Sequence, residues 1–172
     1  MNTYNSEKAI AAILYLAAAL PEQGNLYKVL KAIYRANKEH LHRYGRQIFE
    51  ERYQALKFGT VPAYAYDIVK HVRDDKWQPR MPKAVKKRLS VSKDDTIVAL
   101  VAPNMEMLSE SDVECLDEAI AFFKDMDFNR VKNNAHEDEA YNAAPRNSYI
   151  PLDNIVRTLP DGEVLLEYLK GA

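Results

Sequence analysis

The sequence predicts a mainly α-helical fold: a single compact helical domain with one small β-hairpin. Apolar residues recur at helical spacing in several segments. Proline and glycine punctuate the gaps between those segments. A single pair of short, β-branched runs flanks a polar turn. With 172 residues, 47% of them hydrophobic and 28% charged, the chain is long enough to bury a core without staples, and residues 1–172 are expected to form it together.

A first helix starts at an Asn5 or Ser6 cap and runs to about Leu20, with Ile10, Ile13, Leu14 and Ala17 on its inner stripe. Pro21 and Gly24 break it. Asn25 caps a second helix from Leu26 to about Tyr44, stopped by Gly45. Its stripe is Leu26, Val29, Leu30, Ile33 and Leu41, with Asn37 as the exception, and Lys28, Lys31, Arg35 and Lys38 are expected on its outer face. Residues 47–59 show neither helical nor strand period and read as irregular. Thr60 and Pro62 open a third helix that ends near Val72. Residues 74–85, interrupted by Pro79 and Pro82, read as a loop. Residues 88–91 and 96–101 form the hairpin, the second strand being the more apolar and the one expected to be more buried.

Ser109-Glu110-Ser111-Asp112 resembles a capping box with Asp in the Glu position, opening a helix to about Met126. Asp127 caps a short helix through Asn134. A looser stretch, 136–150, precedes a short helix begun by Pro151, and Val164, Leu165, Tyr168 and Leu169 suit a final helix.

Composition narrows the function classes. The net charge is -1, so no global field draws the chain to nucleic acid or membrane. Charge is nonetheless blocked: residues 70–93 carry +7 and residues 94–141 carry -10. Such blocks suit a partner-directed surface or faces that neutralise each other in the fold. The single cysteine, Cys115, excludes an internal disulfide and fits a reducing cytoplasm, the expected location. The apolar run from Ala9 to Leu20 is too short to cross a bilayer, which needs about 20 residues.

No Gly-rich phosphate loop, HExxH, GxSxG or CxxC is present. His40 and His42 are two apart and diverge on a helix, so they make a poor metal pair. His136 before Glu137, Asp138 and Glu139 offers an acid/base pair or a hard-cation site, but reads more simply as an exposed acidic turn. Cys115 lies between Glu114 and Asp117, which would raise a thiol pKa, and reads as packing. Neither a catalytic constellation nor a cofactor or metal site is expected.

The tyrosines are more informative. Tyr34, Tyr44, Tyr53, Tyr64 and Tyr66 interleave with Arg35, Arg43, Arg46, Arg52 and Lys57. Tyr and Arg are enriched at binding hot spots. Trp77 beside Lys76 and Arg80 is a second candidate anchor. The candidate contact residues are Tyr34, Tyr44, Arg46, Arg52, Tyr53, Lys57, Phe58, Tyr64, Trp77 and Arg80. Inward packing with exposed hydroxyls is the plainer alternative for the tyrosines.

The run from Lys31-Ala-Ile-Tyr34 to His40-Leu-His-Arg-Tyr44-Gly45-Arg46 resembles the signature of the Panacea-domain (SocA-like) antitoxin family, a "K-L-L-Y-x-A" helix leading into "H-L-x-x-Y-G-R". Glu51-Arg52-Tyr53-Gln54-Ala55-Leu56-Lys57-Phe58-Gly59-Thr60-Val61-Pro62 is similar to the family's "D-x-Y-x-A-x-x-Y-G-P-V-P", with Phe58 for Tyr and Thr60 for the first Pro. Leu108-Ser109-Glu110 looks like its "L-S-x-x-E" helix, and Ala135-His136 like its "S/T-H" segment, with Tyr141 where a Trp is expected. The likeness covers roughly residues 5–141.

The resemblance implies a non-enzymatic antitoxin that neutralises a cognate protein toxin by direct binding, as part of a toxin–antitoxin system of the kind used in phage defence. A protease adaptor that delivers the toxin for degradation is the variant within the family. The partner is then the toxin, in a hetero-oligomer or with a homodimer of the chain. Two other classes compete: a nucleic-acid-binding autorepressor, suggested by the basic 70–93 block with Trp77, and an enzyme built on His136. Near-neutral total charge and the lack of a helix-turn-helix signature count against nucleic acid.

Overall fold

The computed structural model describes residues 3–76, 81, 82 and 84–171, omitting the side chains of Thr3 and Tyr4. Trp77 and Arg80 lie outside the described residues. The fold is built on α1 (Thr3–Ala19) and α2 (Leu26–Tyr44). Helix α1 is apolar almost all round, and Ala9 through Leu14 are 0% exposed, as expected of a helix at the centre of a core. Its start precedes the expected cap, because Asn5 and Ser6 serve tertiary contacts. The Asn5 amide bonds both the N–H and the C=O of Glu50, and Ser6 meets the Tyr64 hydroxyl.

Helix α2 has the expected bounds. Gly45 closes it in the left-handed conformation at φ 66°, its N–H donating to Leu41 O. Asn25 makes no side-chain cap. It is 1% exposed and ties three elements: its amide donates to Leu20 O and Ile97 O, and accepts from Ile97 N–H. The outer face expected of the α2 lysines is also corrected. Lys28 and Lys31 are buried, Lys31 at 3% exposure, because the later helices Glu110–Phe123 and Phe128–His136 and the first hairpin wrap that side of the helix. Arg35 is exposed and Lys38 half-buried. Asn37 enters the core to accept from Ile48 N–H at 2.9 Å.

Residues 47–59 hold structure that period alone concealed. β1 (Tyr53–Leu56) and β2 (Gly59–Pro62) form a hairpin around Lys57 and Phe58. β5 (Tyr149–Ile150), within the stretch read as loose, pairs antiparallel with the other edge of β1, giving the order β2-β1-β5. Four-residue strands with both sides packed do not alternate clearly, which is why they escaped. α3 therefore starts later, at Ala63, and runs to Asp74, with Pro62 before its first turn and Ala63, Ala65, Ile68 and Val69 buried.

The second hairpin stands as expected, as β3 (Leu89–Val91) and β4 (Ile97–Ala99). Its second strand is not the more buried one: Ile97 faces the core, but Val98, Leu100 and Val101 are 47%, 51% and 44% exposed. α4 (Glu110–Phe123) is shorter than expected, and α5 (Phe128–His136) is longer, with Asp127 capping through Arg130 N–H. A further short helix, α6 (Glu139–Ala143), occupies the loose stretch. α7 (Leu152–Arg157) and α8 (Gly162–Gly171) then pack on Leu41 of α2 through Val156 and Leu166. On α8 the inward position is Leu166, while Val164 and Tyr168 are 68% and 62% exposed.

Candidate binding surface

Asp112 organises the end of the molecule where α1, α2 and α4 converge. The capping box forms as the spacing predicts: Asp112 N–H donates to Ser109 Oγ, and Ser109 N–H to the Asp112 carboxylate at 2.9 Å. That carboxylate is fully buried. Lys8 of α1 meets it at 2.6 Å, and His40 Nε2 and Arg46 Nη1 of the α2 segment each at 3.2 Å. Burial pushes the carboxyl up, but hydrogen bonds from His40, Lys8 and the Ser109 N–H outweigh it and hold it well below the usual carboxylate range. The His-Leu-x-x-Tyr-Gly-Arg run and the Leu-Ser-Glu-Ser-Asp run, distant in sequence, thus meet on one carboxylate.

His40 also places Nδ1 2.9 Å from the Arg46 carbonyl and Nε2 2.9 Å from Ser111 Oγ. The carbonyl only accepts, so Nδ1 carries a proton. Serine and aspartate therefore share Nε2, whereas a nucleophilic relay needs them on opposite nitrogens. The trio acts as a strut. Above it opens a groove of about 710 Å³, with Ile48 and Phe49 in its floor, Met107 and Leu108 on one wall, and Leu152 and Leu169 on the other. Arg46, half-exposed, stands at its rim, bonded also to Ser109 Oγ at 3.3 Å.

Glu51 plays a comparable part for the first hairpin. Its buried carboxylate accepts from the N–H groups of Arg52, Tyr64 and Ala65 at 2.8, 2.8 and 3.0 Å, covering the N-terminus of α3. Burial pushes its carboxyl up to about 7, against those three donors.

The hairpin tip carries an aromatic cluster. Phe58 meets Tyr27 of α2 and Phe128 of α5, with ring centroids 6.0 and 5.7 Å away, and Tyr27 meets Phe128 at 5.0 Å. The Tyr27 hydroxyl donates to Phe58 O. Phe128 is 52% exposed, and Lys57 and Lys132 stand over the Phe58 ring at 5.2 and 5.8 Å. On the β5 side, Arg52 stacks on the exposed ring of Tyr149 at 4.4 Å.

The candidate residues thus divide. Lys57 and Phe58 come together at the hairpin tip. Arg46 sits at the groove rim, and Tyr44, 44% exposed, donates to Glu114 at 2.6 Å. Arg52 joins Tyr149. Tyr34 and Tyr53 are core residues, their rings 5.1 Å apart, with hydroxyls on Asp138 and Gln47. Tyr64 is half-buried on Ser6. Tyr27, Phe128, Lys132 and Tyr149 escaped sequence reasoning because they lie in different segments. The Phe-x-x-x-Lys spacing of Phe128 and Lys132 on one helix face was the available signal.

The charge blocks are paired in part. Within the basic block, Arg73 binds Asp74 and Asp95, Arg88 binds Glu7, Lys86 binds Asp75 and Lys70 binds Asp67. On the acidic helix, Glu118 and Glu114 hold Arg43. Burial pushes the Cys115 thiol up to about 11. The exposed His136 ring stacks on Tyr141 at 5.6 Å. Among the described residues no three His, Cys, Asp or Glu side chains cluster as a metal site, and no helix is long and apolar enough to cross a membrane.

The family model described as "Antitoxin SocA-like, Panacea domain" matches residues 29–141. That span contains α2 from Val29 onward, the first hairpin, the Asp112 box and the aromatic cluster apart from Tyr27. No curated protein and no solved structure matches the chain.

Proposed function

The chain belongs to the SocA-like, Panacea-domain antitoxin family, and from that premise we propose that it neutralises a partner protein toxin by direct binding. The family match over residues 29–141 carries this reading. The surface supports it. The exposed Phe128 and the half-buried Phe58 form an aromatic pair flanked by Lys57 and Lys132, and aromatic rings are enriched where protein partners dock. These two lysines point to a contact segment that joins apolar and acidic side chains, with charge speeding encounter and the rings supplying most of the affinity. Arg52 with Tyr149, and Tyr44 with Arg46 at the groove rim, are the adjoining candidates.

The test is co-expression. The open reading frame adjacent to this gene is expressed in bacteria alone and with this chain, and complexes are purified. Arrested growth that the chain relieves, with the two proteins co-purifying, is the expected result. Relief without a stable complex replaces occlusion with delivery to a protease or repression. A harmless neighbour removes the assignment of that neighbour as toxin and, with it, the functional reading.

A further inference from the structure

Between α2, β2 and α5, on the inner side of Gly59, lies a cavity of about 120 Å³. We propose that this cavity binds a carboxylate group, presented by a partner polypeptide or by a small free acid.

The argument is a count of donors and acceptors. Lys31 Nζ donates to Thr60 O at 2.6 Å, which uses one of the three donors of an ammonium. Arg35, at the rim, stacks on the Phe122 ring at 3.6 Å; Glu39 and Glu118 act on it electrostatically, but neither reaches it with a hydrogen bond. The Thr60 hydroxyl is buried in the wall beside the Tyr34 hydroxyl, without a hydrogen bond of ordinary length. The nearby acids are engaged elsewhere. Asp138 accepts from Tyr34 at 3.0 Å, Lys38 at 2.9 Å and the Tyr141 N–H at 2.9 Å, and one oxygen of Glu39 accepts from Arg43 at 2.6 Å. The lining thus sets three cations, Lys31, Arg35 and Lys38, against the two carboxylates of Asp138 and Glu39.

A monoanion suits this balance better than a dianion, which Asp138 and Glu39 would repel. The planar fork of Arg35 matches a carboxylate, and the volume accepts a group of acetate size. Burial lowers the Lys31 amine to about 7 in the empty cavity. A bound carboxylate favours the charged amine, so binding above pH 7 takes up a proton, and affinity falls about tenfold per pH unit there.

The test follows the Lys31 side chain by NMR in lysine-labelled protein. Acetate is expected to raise its titration midpoint, acetamide to leave it unmoved, Arg35→Gln to weaken the acetate effect several-fold, and Lys31→Met to abolish acetate binding. An unmoved Lys31 signal at saturating acetate overturns the proposal, as does an equal response to inorganic phosphate. In the purified complex with the partner, a raised midpoint without added acid identifies the partner as the source of the carboxylate. An unmoved midpoint there, with acetate still effective, identifies a free acid. The acetate titration uses the chain alone, so its failure and the failure of the antitoxin reading are separate results.

Discussion

Arg46 and Asp112 stand 66 residues apart in the chain and meet at 3.2 Å, one at a groove rim and the other fully buried beneath it. The contact joins the end of α2 to the start of α4 through a carboxylate that Lys8 and His40 also hold. Asp112→Ala leaves Lys8 buried without its counter-charge and removes the reciprocal half of the α4 capping box, the acceptor of the Ser109 N–H. Loss of about 3–5 kcal/mol is expected in urea unfolding. Arg46→Ala, at the solvent-facing end, costs about 1 kcal/mol or less.

Acid acts through the same group. The folded Asp112 carboxyl lies below its unfolded value, so its stabilisation is present above the ordinary carboxylate range and is lost as pH falls through the folded value. In Asp112→Asn the stability difference from the parent should shrink steadily between pH 5 and pH 2. A difference independent of pH would sink this account.

Lys31 gives a slope of the same sign in a higher pH window. Its folded amine titrates near 7 against 10.5 unfolded, so the unfolded chain holds more protons between those values and stability rises with pH across them. The difference between the parent and Lys31→Met should change by about 1.4 kcal/mol per pH unit from 7 to 9. Denaturant titrations at several pH values measure it.

Two glycines separate strain from space. Gly59 holds φ +108°, and a Cβ there would lie 2.6 Å from the Ala135 Cβ and 2.8 Å from Lys31 Nζ. Gly59→Ala should cost about 3 kcal/mol. Gly45 has φ +66°, and its nearest neighbour is the exposed ring of Tyr168, which can swing away. Gly45→Ala should cost about 1 kcal/mol, and thermal melts distinguish the two.

Phe58→Ala with Phe128→Ala removes the aromatic anchors of the hairpin tip. The folded chain should keep its helical circular dichroism and lose at least about tenfold in toxin affinity, as loss of a hot-spot aromatic does. Unchanged rescue and unchanged affinity would move the contact surface to the groove or to Tyr149.

Sequence period revealed what is locally encoded: α2 with its Gly45 stop, the second hairpin, and the Ser109–Asp112 box. It missed features set by distant partners. Asn5 and Asn25 look like caps because a cap and a tertiary strut use the same amide. Lys31 looks solvent-facing because its neighbours on that side, Thr60 and α5, arrive later in the chain. β5 has two residues, too few for any pattern, and is a strand only because β1 offers it an edge. The candidate contacts fared likewise: Lys57 and Phe58 were visible, whereas Phe128 and Tyr149 needed the fold. Inward packing accounts for Tyr34 and Tyr53.

The pairing of Tyr53 with Ile150 also sets a clock. At about 5–20 residues per second, a ribosome needs about 5–20 s to advance from β1 to β5. Throughout that interval the nascent chain presents one edge of β1 unpaired, the kind of edge on which strands of other chains add. Codon choice between those two strands therefore sets how long that edge stays open.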